Sequence, residues 1–107
     1  MKLRYYITGH GLGHVSRSCH ILRAMLQREP DLAVEVCTTA PFWFLQQQLP
    51  PHIPIRVKGF DLGVIQRDSL EIEVDKTLVA CRELLARRSE LLRQEREELL
   101  ESKVTLV

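Results

Sequence analysis

The residues with the most evident capacity for chemistry are 8–18, TGHGLGHVSRS, where Gly9, Gly11 and Gly13 are interleaved with His10, Leu12 and His14. Glycines at that spacing let a backbone come close to a ligand, and a helix opening just after them aims its first amides at an anion. An imidazole at the mouth of such a turn can take a proton from a hydroxyl, since the ordinary titration range of histidine straddles neutrality. His14 could equally cap the following helix through a side-chain hydrogen bond, and spacing alone does not separate the two roles.

Spacing does exclude two common explanations. A dinucleotide fingerprint needs G-x-G-x-x-G with an acid at the end of the next strand; this turn is G-x-G-x-G, and the second strand ends in CTTAP. A Walker loop needs a lysine after its last glycine, and none stands there. His10 and His14 are four apart, a zinc spacing on a helix. The intervening glycines disfavour that helix and the glutamate of H-E-x-x-H is missing, so no metal is expected.

The elements that must hold the turn are readable on either side. Leu3, Tyr5 and Ile7 alternate with Arg4 and Tyr6, a strand pattern. Val15, Cys19, Leu22 and Met25/Leu26 make a helical stripe that Pro30 ends. Residues 33–39, AVEVCTT, read as the second strand, which completes a parallel βαβ unit. A short helix follows, with Pro41 in its first turn, Phe42, Trp43 and Phe44 behind it, and Pro50-Pro51 closing it. At least one of those three aromatic rings must point away from the sheet. Residues 55–60 read as a third strand, 61–75 as a long loop, 76–102 as one long helix and 104–107 as a fourth strand just begun. The order implies an α/β fold, an open Rossmann-like, mostly parallel sheet with flanking helices, in a single domain spanning 1–107 that stops short of its next unit.

Leu78, Leu85, Leu92 and Leu99 recur every seven residues in the 76–102 helix, with Leu84 and Leu91 beside them. Such a stripe could pair two copies in a homodimer or dock on the sheet. The positions three residues on, Cys81, Arg88 and Glu95, are poor coiled-coil partners.

Composition narrows the class. With 45% hydrophobic and 27% charged residues the chain is an ordinary globular sequence rather than a disordered one, and a net charge of +1 gives no bulk attraction to nucleic acid. The charge is uneven: residues 1–30 carry five bases and one acid, and 61–107 carry eight bases and eleven acids. The positive excess therefore shares the first thirty residues with the glycine turn, which suits a phosphate-bearing partner. Cys19, Cys37 and Cys81 are odd in number and widely spaced, as in a protein of a reducing compartment. No run is apolar for long enough to be a signal peptide core or a membrane span, so a soluble, cytoplasmic protein is expected.

With these residues in view, the turn YYITGHGLGHVSRS and the strand ending CTTAP resemble the N-terminal domain of GT-B fold glycosyltransferases. They are also similar to the N-terminal, non-kinase part of plant arabinokinases. The resemblance extends to D-x-G-x-x-Q-x-D, here Asp61, Gly63, Gln66 and Asp68, and to the charged helix after it. It implies the incomplete N-terminal half of a GT-B fold, the acceptor side of an enzyme that moves a sugar from a nucleotide-sugar, a UDP-sugar, to a hydroxyl acceptor. Gly13, His14 and Val15 match the G-H-[VI] of related enzymes, with Arg17 where those have proline. By the same resemblance His14 corresponds to the base, Gly9, Gly11 and Gly13 let the donor diphosphate approach, and His10 and Arg17 join them as candidate substrate-binding residues. Gln66 and Asp68 bind acceptor hydroxyls. No separate cofactor is implied, and a C-terminal domain would hold most of the donor, leaving this piece inactive alone. The arabinokinase-like likeness implies instead a sugar or nucleotide-sugar binding or regulatory module without transfer.

Overall fold

Three parallel strands organise the fold. In the computed structural model, which describes residues 1–107, the chain runs through β1 (Lys2–Tyr6), α1 (Leu12–Arg28), β2 (Ala33–Cys37), α2 (Phe42–Gln48), β3 (Ile55–Arg56), α3 (Val74–Ala86) and α4 (Arg88–Glu101). The sheet order is β1-β2-β3, all parallel, with Leu3 opposite Val34 and Val36 opposite Ile55. This is an α/β architecture, a three-stranded parallel sheet flanked by helices, part of a Rossmann-like fold. Met1–Gly59 and Lys103–Val107 form one unit, and Phe60–Ser102 form a second.

The first unit follows its hydrophobic pattern. Val15, Cys19 and Leu22 of α1 are fully buried among Leu3, Ile7, Val34, Val36, Leu45 and Ile53, with Met25 and Leu26 packed on the edge of that cluster. Burial raises the Cys19 thiol above its ordinary value, against a smaller opposing pull from the Arg23 charge. At Glu29 the backbone amide donates to the Met25 carbonyl and α1 closes just before Pro30. Residues 104–107 reach the sheet through one isolated bridge, short of the fourth strand expected there. Leu106 bridges Leu3 in parallel, the Arg4 amide donates to the Leu106 carbonyl at 3.0 Å, and the Lys2 carbonyl accepts from Thr105 and Leu106. β1 thus lies between β2 and this last segment.

The third strand is shorter than its sequence suggests. Beyond Cys37 the second strand turns away, the Ala40 amide donating to Thr38 Oγ1 at 3.1 Å. After the bond from the Thr38 amide to the Arg56 carbonyl, residues 57–60 have no strand to pair with.

The opposite sheet face holds an ion cluster that strand alternation places there. Arg4 and Glu35 are direct neighbours in register, and Arg4 Nε donates to Glu35 Oε1 at 2.6 Å, with both side chains buried. Lys2 Nζ and Arg56 Nε each lie 3.5 Å from Glu35 Oε2. Burial would raise the Glu35 carboxyl, but the bond and charge of Arg4, joined by Lys2 and Arg56, outweigh it and hold that carboxyl below its usual range.

In the second unit, the expected loop has structure of its own. Gln66 bridges Ile72 in an antiparallel pair, the Glu73 amide donates to the Ile65 carbonyl at 2.7 Å, and Arg67 pairs with Glu71. Thr77 Oγ1 ties the hairpin to α3, accepting from the Ile65 amide at 2.9 Å and donating to the Glu73 carbonyl at 2.8 Å.

The single helix expected over 76–102 is two helices, interrupted at Arg87 (φ −95°, ψ 0°). Arg87 and Arg88 follow the negative end of α3, while Glu90 sits in the first turn of α4. A seven-residue leucine count is blind to that pattern. Leu78, Leu85 and Leu92 are all more than half exposed, so the stripe is neither continuous nor covered, and α3 buries no side chain fully. Arg93 bridges Glu90 and Glu97 on the solvent face of α4. No helix is long and apolar enough to cross a membrane.

Candidate functional site

The glycine turn joins β1 to α1, and the surroundings of its three glycines differ. At Gly9 the constraint is packing. A Cβ there would lie 2.1 Å from Thr39 Oγ1 and 3.2 Å from the Thr39 backbone carbon, because the turns after β1 and β2 touch. At Gly11, the N-cap of α1, the constraint is conformation. Its φ of 74° with ψ 149° is a region that side chains disfavour strongly. At Gly13, in the first helical turn, neither applies: φ is not positive and nothing lies within 4 Å of where a Cβ would stand.

The opening of α1 is built to attract negative charge. Gly11 offers no side-chain cap, and no acid stands in the first turn of this 17-residue helix. The amides of Leu12, Gly13 and His14 therefore present the positive end of the dipole without a carboxylate to answer it. The His10 amide donates to Thr8 Oγ1 at 3.4 Å, which folds the turn back on itself. His14 does not cap the helix; its side chain is exposed, three residues before the exposed Arg17 on the same helix face.

The structure thus gathers Gly9, His10, Gly11, Gly13, His14 and Arg17 at the C-terminal end of β1, where parallel sheets commonly bind ligands. Gln66 and Asp68 belong to the second unit. Asp68 serves its own hairpin, closing the turn as its Oδ1 accepts the Leu70 and Glu71 amides at 2.8 and 2.9 Å. Gln66 is exposed in the segment leading into that turn. No three potential metal ligands converge anywhere in the chain.

One further residue, Thr39, stands beside the turn. The positive excess of residues 1–30 sits only partly at the turn, because Lys2 and Arg4 attend Glu35 and Arg23 donates to the Gln48 carbonyl at 2.9 Å. Arg17 is the cation left beside the glycines. Thr39 forms the wall that Gly9 meets, a role that sequence alone does not disclose. Its one signal is a small hydroxyl residue in the turn after β2.

The sequence is similar to L-arabinokinase of Arabidopsis thaliana, with 37% identity over 70 residues, which is 64% of this chain and 6% of the arabinokinase. The chain therefore spans a small fraction of the length of the curated relative it matches. No protein-family profile matches it, and no solved structure does.

Proposed function

We propose that the β1–α1 turn binds the diphosphate of a nucleotide-sugar, a UDP-sugar, and that this chain is a sugar-nucleotide binding part of a longer arabinokinase-like protein. Gly13 carries the proposal. Glycine is a poorer helix former than alanine, and in this first helical turn neither strain nor packing requires one. A ligand passing close to the backbone does. The uncapped amides of α1 supply the hydrogen bonds and Arg17 the charge. The partial likeness to a sugar kinase favours a sugar-bearing ligand.

Gly13→Glu separates this role from the fold. A carboxylate in the first turn improves helix propensity and complements the dipole, so the melting temperature should hold or rise by about a degree or more. The same carboxylate stands where the diphosphate would lie, and UDP binding measured by calorimetry should weaken more than tenfold. Equal UDP affinity in the two proteins, or none in the parent, would refute the assignment.

The exposure of His14 beside the open Gly13 favours a second reading, glycosyl transfer within a GT-B-type enzyme whose other domain holds the donor. The acceptor oxygen would attack the sugar's anomeric carbon and pass its proton to the imidazole, while the diphosphate leaves with the bonding electrons. In a complete protein containing this segment, His14→Ala should then lower transfer about a hundredfold or more.

A further inference from the structure

The rings of Phe42 and Trp43 are 56% and 57% exposed, in a chain where aromatic residues are only 6% of the total. They open α2, directly after the turn whose Thr39 abuts Gly9. Because β1 and β2 are parallel, the turns leaving them lie at one end of the sheet, so the openings of α1 and α2 share that end. The two helices are tied further along by Arg23, which donates to the carbonyl and to Oε1 of Gln48 at 2.9 and 3.1 Å. The Trp43 ring is also held in place. It packs edge-on against Phe44 at 5.6 Å and 83°, and Phe44 packs on the core.

The rest of this helix face is equally specific in its chemistry. Gln46 and Gln47 stand three and four residues after Trp43, the spacing that puts them on its face, and both are exposed. The segment FWFLQQQ has no charged side chain at all. A phosphate or a charged peptide finds no counter-charge here. A neutral polyol finds a flat ring for its C–H face and carboxamides that both donate to and accept from its hydroxyls.

We infer that Phe42, Trp43, Gln46 and Gln47 form a platform for the neutral sugar ring of the ligand whose diphosphate occupies the β1–α1 turn. The platform deepens the binding role proposed above and rests on it for the diphosphate. It assigns the sugar to α2 and the anion to α1, with Trp43 as the stacking residue.

Trp43 is the single tryptophan, so its fluorescence reports on this surface without a label. The full chain titrated with UDP, UDP-arabinose, UDP-glucose and free L-arabinose should show a Trp43 change with the sugar-bearing ligands and little with UDP. Trp43→Ala, at an exposed position, should weaken a UDP-sugar roughly three- to tenfold, the size of one aromatic contact, and leave UDP affinity unchanged. Trp43→Phe should recover most of the loss, and Gln46→Ala should cost a smaller factor. If UDP fails to bind but L-arabinose still perturbs Trp43 and Trp43→Ala removes that binding, the platform stands and the diphosphate site falls. If UDP and UDP-sugars lose affinity equally in Trp43→Ala, the ring stacks on the base and the inference is wrong. No response of Trp43 to any sugar, with UDP bound, also overturns it.

Discussion

Glu35→Gln should destabilise the chain by about 3–5 kcal/mol at neutral pH, the usual cost of leaving a buried charge without its partner. The stranded group is Arg4, whose side chain is fully buried in the first strand. Glutamine keeps the size of Glu35 and removes only its charge, so the loss isolates electrostatics from packing. The carboxyl of Glu35 is held below its ordinary value in the folded chain. Its contribution is therefore complete above the unfolded carboxyl range, near about pH 4.3, and fades as the pH falls through the folded value. Urea unfolding of parent and variant should show a wide gap at about pH 7 that narrows by about pH 3. A gap of constant width would mean that the loss does not come from the ionised carboxylate of Glu35. Replacing both partners, Arg4→Met with Glu35→Leu, should restore much of the stability, since apolar side chains need no counter-charge.

Gly9→Ala is the second large expected effect, and it tests the join between two turns. The added methyl would meet Thr39 Oγ1 at 2.1 Å and the Thr39 backbone at 3.2 Å, so side-chain rotation relieves only part of the overlap. Overpacking of this kind costs about 1–3 kcal/mol. Thr39→Ala in the same chain should recover some of that stability, because it removes the nearest atom and leaves the backbone contact. The neighbouring glycines make the control. Gly11→Ala should cost a similar amount through strain at its positive φ, and Gly13→Ala should cost nothing or stabilise slightly. Thermal melts of the three variants should rank in that way. A Gly9→Ala protein as stable as the parent would show that the two turns do not touch.

These contrasts also show how far the residues alone disclose the structure. The first strand, first helix and second strand are legible because each carries its own signal: alternation at Leu3–Tyr5–Ile7, a stripe at Val15–Cys19–Leu22, and a stop at Pro30. The third strand falls short of its expected length because strand length depends on the partner, and the partner leaves at Thr38. Helix periodicity over 76–102 continues through Arg87, so hydrophobic spacing carries no sign of the break there. The Arg4–Glu35 pair needs a register between strands 31 residues apart, which no local pattern contains. In the site, the turn and its histidines are visible in the sequence. The different surroundings of the three glycines are not, because close packing at Gly9, a positive φ at Gly11 and open space at Gly13 all go with the same residue.

The return of Leu106 to the first strand bears on the order of folding. The first unit is discontinuous, with the whole of Phe60–Ser102 inserted before its last segment, Lys103–Val107. Its final hydrogen bonds, from Thr105 and Leu106 to Lys2, span nearly the entire chain. Contacts between distant residues must overcome loop-closure entropy before they add stability, so they form late. β1, α1 and β2 can assemble while the ribosome is still making the second unit, leaving the outer edge of β1 to wait for Leu106. β1, made before its last partner by nearly the whole of this chain, is then among the last strands to be fully paired, and early assembly of α3 and α4 would shorten the wait by shrinking the loop to be closed.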